Sequence, residues 1–160
     1  MIKYDLHCHS TASDGILTPT EVVLRAHEKG VNVLALTDHD TVAGIVEARQ
    51  QAESLGMRLI NGVEISTLWE NRSIHIVGLG FDISHEKMTA LLAEQAKLRE
   101  IRAQEIGAKL EKIGVENAYA EAKKLAGNGE VTRVHYARHL VQIGKVSNDG
   151  QAFKRYLGQG

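Results

Sequence analysis

Asp5-Leu6-His7-Cys8-His9 runs directly into Ser13-Asp14-Gly15, and this opening decides how the rest of the chain is read. Ile2 to His7 predicts a strand, on which alternate side chains share a face. His7 and His9 then point the same way, with Asp5 behind them and Leu6 and Cys8 on the opposite side. Two imidazoles converge on one ion, and imidazole suits zinc, manganese, iron or nickel. Asp14, in the loop just beyond, adds a hard carboxylate that such ions accept. An isolated His-x-His serves equally well as a pair of surface histidines, so the weight falls on the downstream residues.

Strand and helix signals alternate along the next seventy or so positions. Thr18-Pro19-Thr20-Glu21 combines a cap, a proline at the first helical position and the glutamate of a capping box, and Gly30 closes that helix. Val31 to Leu36 is a short apolar run rich in β-formers and predicts the second strand. Thr37-Asp38-His39-Asp40-Thr41 is a polar loop supplying caps for a helix from about Thr41 to Leu55, stopped by Gly56. A third strand is expected over about Arg58 to Val63 and a fourth over about Ile74 to Gly80. Strands alternating with helices imply parallel pairing with right-handed crossovers, as in a barrel or a doubly wound sheet.

After Phe81 no further strand is evident. Ser84 is placed to cap a long amphipathic helix to about Ile113, with Met88, Leu91, Leu92, Leu98, Ile101, Ile106 and Leu110 along its apolar side. Shorter helices come next at about Glu116 to Ala126, Thr132 to Ile143 and Asn148 to Leu157. The expected division is residues 1–85 as a metal-binding half and residues 86–160 as a helical insertion.

Composition narrows the functional classes. The chain has 160 residues, 43% apolar and 24% charged, with a net charge of -1; this describes a globular chain with a real core and argues against broad electrostatic binding to long duplex nucleic acid or to a membrane. One cysteine excludes an internal disulfide, and no targeting or membrane-spanning segment is visible, so a cytoplasmic protein is expected.

The unusual polar residues fall where parallel α/β folds build their sites, at the carboxyl ends of strands. His7 and His9 lie at the end of strand one, Asp38-His39-Asp40 at that of strand two, and Glu64 at that of strand three. His75 lies near the start of its own strand, and a strand of altered direction or offset would bring it to the same mouth.

Asp5-Leu6-His7-Cys8-His9-Ser10, Ser13-Asp14-Gly15, Thr37-Asp38-His39-Asp40 and Gly62-Val63-Glu64-Ile65-Ser66 resemble the motifs of the polymerase and histidinol phosphatase (PHP) superfamily, over about residues 1 to 80. Within it the chain is most similar to the bacterial branch that hydrolyses nucleoside 3',5'-bisphosphates and trims short RNA from its 5' end. Arg99-Glu100-Ile101-Arg102 and Thr132-Arg133-Val134-His135-Tyr136-Ala137-Arg138 resemble that branch's helical insertion. The resemblance implies an α/β fold, the N-terminal part of a distorted, TIM-like β/α barrel with an α-helical subdomain. It implies two or three divalent ions, manganese foremost, with zinc or iron as alternatives, held by His7, His9, Asp14, His39, Glu64 and His75. Glu64 would bridge neighbouring cations, while Asp38 and Asp40 stand behind the ligands. Arg99, Arg102, Arg133 and His135 would contact substrate phosphate, from a nucleotide bisphosphate or a short 5'-phosphorylated RNA.

The family pattern continues with a Gly-His-Pro-like histidine and a late Asp-x-His that do not occur in these 160 residues, and a barrel needs about 250 residues. The expectation is therefore an N-terminal portion that works with a C-terminal segment of the same protein. The competing readings are a histidinol-phosphate-type phosphatase, which needs no arginine-bearing cap, and a metal-binding fragment without turnover. Cys8 is expected as a buried, inert thiol, His139 as a solvated residue, Arg99 and Arg102 alternatively as an exterior pairing with Glu105, and Trp69 in the connection between strands three and four.

Overall fold

The computed structural model describes residues 1–70 and 72–158. Its first strands are β1 (Tyr4–Cys8), β2 (Val33–Leu36), β3 (Arg58–Trp69) and β4 (Arg72–Leu79), with helices α1 (Pro19–Glu28) and α2 (Ile45–Ser54) between the first three. The sheet order is β1-β2-β3-β4. β1 pairs with β2 and β2 with β3 in parallel, as helical crossovers require. α1 begins with the complete Thr18–Glu21 capping box, Pro19 included.

The fourth strand departs from the all-parallel expectation: β4 runs antiparallel to β3, from Gly62 opposite Leu79 to Trp69 opposite Arg72. The connection is therefore two residues long, and a link that short joins only antiparallel neighbours. Glu70, its first residue, adopts φ +46, the left-handed conformation that tight hairpin turns demand. Trp69 accordingly ends β3 rather than lying in a loop, and it is 65% exposed.

α2 also starts later than expected, at Ile45, with Gly44 as a cap that makes no side-chain bond. The polar loop before it serves another purpose, since Asp38 and Asp40 bond to other segments.

By its contacts the chain divides into two compact units, Met1–Ala96 and Lys97–Gly160. The core of the first joins Val22, Val23 and Ala26 of α1, Leu34 and Leu36 of β2, and Ile45, Ala48 and Ala52 of α2. A helix α3 (Glu86–Glu111) crosses the division, and α4 (Ala118–Ala126), α5 (Arg133–Gln142), α6 (Asp149–Ala152) and a π-helical turn (Phe153–Leu157) come after it. In the second unit Ala103 and Leu110 of α3 pack with Ala118, Ala122, Tyr136, Ala137 and Leu140. A Cβ on Gly107 would lie 2.7 Å from that of Tyr119, so glycine there lets α3 and α4 touch backbone to backbone. The buried Tyr136 hydroxyl donates to the Ala103 carbonyl at 2.6 Å.

Two details of α3 differ from the sequence reading. Leu91, Leu98 and Ile101 are exposed, while Leu92, Ala103 and Leu110 are buried, because the latter three, 11 and 7 residues apart, share one face of the helix and the exposed three lie off it. Ser84 does not cap it: the Ser84 hydroxyl turns back to donate to Asp82, and the ring Nδ1 of His85 accepts from the Lys87 N–H.

Candidate metal centre

Glu64 is the hub of the first unit. Its Oε2 lies 3.2 Å from His7 Nε2, 3.1 Å from His9 Nε2 and 3.3 Å from His39 Nδ1, and its Oε1 lies 3.0 Å from His75 Nδ1. Asp14 closes the other side, 3.8 Å from His9 Nδ1 and 3.6 Å from His39 Nε2. All six residues expected as ligands therefore meet in one place. They form three overlapping groups, His7–His9–Glu64, His9–Asp14–His39 and His39–Glu64–His75, each with ligand atoms within 4.8 Å of one another.

Local structure explains how each side chain arrives. A register shift between Asp5 and Cys8 interrupts the β1–β2 ladder, and the Thr37 hydroxyl spans the gap by accepting from the Cys8 N–H and donating to the Cys8 carbonyl. Beyond β1 the loop folds back tightly, since a Cβ on Gly15 would lie 2.6 Å from the His9 carbonyl oxygen. This is the physical use of the glycine in Ser13-Asp14-Gly15: it lets Asp14 face His9 and His39. Asp38 secures the same loop, with Oδ1 accepting from the Ser10 N–H and the Ser13 hydroxyl and Oδ2 from the Ser10 hydroxyl. Asp40, at φ +53, accepts from the Ser66 N–H, and its own N–H donates to the Glu64 carbonyl. Neither Asp38 nor Asp40 belongs to the converging groups, and both brace the segments that do.

The antiparallel turn of β4 brings in the last of the six side chains. Ser66 pairs with His75 and Glu64 with Val77, and paired residues share a face of the sheet, so His75 stands on the same side as Glu64.

The donor chemistry suits a cation. A carboxylate oxygen has two acceptor directions, yet Oε2 of Glu64 is faced by three ring nitrogens. Ligand atoms around one tetrahedral ion with bonds of about 2.0–2.1 Å stand about 3.3 Å apart, which matches the spacings between Glu64 and the imidazoles. His9 Nδ1 is buried and makes no hydrogen bond, as a nitrogen meant for a metal would be. Burial opposes ionisation of Glu64, but the hydrogen bonds from His7 and His75 and the charges of His39 and His9 outweigh it and hold the carboxyl below its ordinary range. Cys8 faces away: its thiol donates to the Ala35 carbonyl at 3.3 Å, and burial, then the charges of Asp5 and Asp38, push it up to about 12. It is the inert thiol its place on the strand implied.

In the second unit Arg99, Arg102 and Arg133 stand close enough that each of the first two depresses the ionisation of the third, after the larger effect of burial. Arg99 pairs with Glu130 at 3.6 Å rather than with Glu105, an ion pair joining distant parts of the sequence that spacing within α3 does not reveal. His135 is buried, and its Nδ1 accepts from the Thr132 N–H to complete the cap of α5. His139 is buried too, contrary to the solvated expectation, because α5 turns that face into the core beside Leu140. The overall charge conceals a division: residues 97–160 carry 12 Lys and Arg against 7 Asp and Glu, net +5, whereas residues 1–96 carry 7 against 13, net -6.

A sheet that begins as a β/α barrel and gathers four imidazoles and two carboxylates at one mouth defines an α/β scaffold with a candidate metal centre. Residues 5–103 match the family model described as the PHP domain, and the chain belongs to that family. It is 73% identical over 158 residues to a 5'-3' exoribonuclease of Haemophilus influenzae, covering 99% of this chain and 57% of that protein. It is 42% identical over 161 residues to a 3',5'-nucleoside bisphosphate phosphatase of Chromobacterium violaceum, covering 100% of this chain and 56% of that one. A solved structure described as an amidohydrolase from Chromobacterium violaceum, with bound sulfate and no metal, matches with a TM-score of 0.93 at 42% identity, covering 99% of this chain and 56% of the other. The chain thus spans a little over half the length of these relatives and has the fold of the first part of their barrel, helical subdomain included. No described helix is long and apolar enough to cross a membrane.

Proposed function

We propose that this chain carries the metal-binding part of a phosphoesterase that hydrolyses nucleoside 3',5'-bisphosphates and short 5'-phosphorylated RNA. The observation that carries the reading is the arrangement around Glu64, with three ring nitrogens within 3.3 Å of one carboxylate oxygen. The names of the two relatives supply the substrate class.

His7, His9, Asp14, His39, Glu64 and His75 would hold two or three divalent cations, manganese before zinc or iron. When bound, such cations lower the pKa of water and neutralise phosphoryl oxygens. The protein's own part is to hold these ligands, with Glu64 shared between neighbouring groups and Asp38 and Asp40 fixing the loops behind them. Arg99, Arg102 and Arg133 would bind the phosphate that is not cleaved, which planar guanidinium groups grip in bidentate fashion. His135 serves them by fixing the start of α5, where Arg133 stands. The remaining part of the barrel is assigned to the segment that the relatives carry beyond the matched half, and a cytoplasmic enzyme fits a nucleotide substrate and a lone thiol.

The test is manganese-stimulated release of phosphate from adenosine 3',5'-bisphosphate by the full-length protein, beside p-nitrophenyl phosphate. Arg133→Ala is expected to impair the bisphosphate at least tenfold more than the generic ester. Equal losses on both substrates, or none, would overturn the phosphate-reading role and favour a simple phosphomonoesterase.

A further inference from the structure

We infer that Leu68 is the apolar rest for the nucleoside of the substrate, seated on the β3–β4 hairpin where it rises past the candidate metal centre, and that it favours nucleotides over phosphate esters without a base. The inference deepens the proposed function and rests on it, since it takes the cleaved phosphate to lie at the groups around Glu64 and His75.

Strand length builds a wall beside the site. β2 pairs with β3 as far as Leu36 opposite Asn61, and a bridge from His39 to Glu64 marks the level of the candidate ligands. β3 then continues through Ile65–Trp69 with β4 as its partner, so this end of the hairpin stands beyond that level. It is held there firmly. The ladder runs on to Trp69 opposite Arg72, the Ser66 N–H donates to Asp40, and the Thr67 hydroxyl donates to the Ile74 carbonyl at 2.9 Å.

Alternation decides which side chains of the wall look toward the site. Glu64, Ser66 and Leu68 share one face of β3, and their partners Val77, His75 and Ser73 share the same face of β4. Leu68 is diagonal to His75, with Cβ atoms about 7–8 Å apart, a gap that the sugar of a nucleotide bridges when its phosphate lies beside the His75 ring. Trp69, the larger apolar residue, stands on the opposite face with Thr67, Arg72 and Ile74. Side rather than bulk therefore selects the residue that meets the substrate.

Chemistry narrows the part of the substrate that this surface takes. Leu68 is 77% exposed, and Ser73 opposite it is too small to cover it. Past Ser66 and His75 the face presents Leu68 and Ser73, neither of them charged, which suits an uncharged base and sugar rather than a second phosphate. An aliphatic side chain reads no hydrogen-bond pattern, so the contact accepts purines and pyrimidines alike. Apolar area leaves water when a nucleoside settles on it, and a contact made equally in the bound and transition states lowers KM without raising kcat.

The experiment is steady-state phosphate release by the full-length protein with manganese, from 2'-deoxyadenosine 3',5'-bisphosphate and from its abasic counterpart, 1,2-dideoxyribose 3,5-bisphosphate. The unaltered protein is expected to show the lower KM for the nucleotide. Leu68→Ser should raise that KM about fivefold, as loss of one partly covered leucine allows, with kcat held and the abasic KM unmoved. Leu68→Ala should do much the same, and Leu68→Met should restore the nucleotide KM. Trp69→Ser, on the opposite face, should change neither substrate. Circular dichroism and manganese binding confirm that each variant is folded. If the folded Leu68 variants leave the ratio of the two KM values unchanged, lower kcat on both substrates, or are matched by Trp69→Ser, Leu68 does not carry the nucleoside. If the unaltered protein hydrolyses neither bisphosphate, the proposed function itself fails and this inference falls with it.

Discussion

Asp38 Oδ1 accepts the Ser10 backbone N–H at 2.7 Å, and this bond ties the segment carrying His7 and His9 to the one carrying His39. The same carboxylate receives the hydroxyls of Ser10 and Ser13, and it is buried. Removing it strands three buried donors at once. Asp38→Ala is therefore expected to destabilise the first unit by about 2–5 kcal/mol and, through loosened ligands, to weaken metal binding about 10- to 100-fold. Asp38→Asn, which keeps one acceptor oxygen, should cost less on both counts. Urea unfolding and manganese titration check this; unchanged metal affinity in a folded Asp38→Ala protein would remove Asp38 from the support of the site.

Metal should stabilise as well as serve the chemistry. A cation bound at about one hundred times its Kd contributes about 2.7 kcal/mol, which for a chain of this size raises the unfolding midpoint by about 5–10 °C. Manganese added to chelator-treated protein is expected to produce that rise, and His9→Ala or Glu64→Ala to lose most of it along with bound metal. Elemental analysis that finds no metal after reconstitution would remove the site assignment altogether.

The Cys8 thiol gives a pH signature. Its folded value, pushed up to about 12 chiefly by burial, lies above the unfolded thiol's ordinary value of about 8.5. Below both values the thiol is protonated in either state and contributes no pH dependence. Between them the unfolded chain loses the proton while the folded one keeps it, so stability falls as pH rises through that window, by at most about 1.4 kcal/mol per unit. Cys8→Ala should flatten this alkaline loss, and at pH 8.5 the native thiol should react with a disulfide reagent far more slowly than the thiol in urea. Equal labelling rates in the two states would show that the side chain is not held where the structure has it.

The fourth expectation concerns the sheet edge. Ile74 and Ile76 of β4 stand two residues apart on one face, both exposed, and β4 has no neighbour beyond it among the described strands. A long apolar edge invites pairing with other chains. The 160-residue chain is expected to self-associate with rising concentration in sedimentation velocity, and Ile74→Lys with Ile76→Lys to suppress that association. Monodisperse behaviour throughout would show that this edge does not recruit partners.

Much of the candidate metal centre is legible in one dimension because several of its side chains are placed by local periodicity. A strand's alternation places His7 and His9 together, a parallel β/α order puts His39 and Glu64 at the same ends of neighbouring strands, and Gly15 after Asp14 marks the fold-back that turns the carboxylate inward. The capping box at Thr18 and Glu21 and the inert face of Cys8 arise from equally local geometry.

Other features exist only between elements far apart in sequence. The direction of β4 depends on a two-residue turn at Glu70 that local apolarity did not mark, and with it the approach of His75 Nδ1 to within 3.0 Å of Glu64. His139 is a polar residue on a helix yet is buried, because the facing core, which takes in Tyr136, Ala137 and Leu140, selects which side of α5 turns inward. The contact of Glu130 with Arg99, and the gathering of Arg133 beside Arg102, depend on how α3 and α5 pack. The order of residues along the chain determined the candidate ligands and the alternation that presents His7 and His9, since hydrogen bonding within an element repeats at a fixed period. Tertiary structure decided strand direction, burial and the pairing of distant charges, since those depend on packing whole elements against one another.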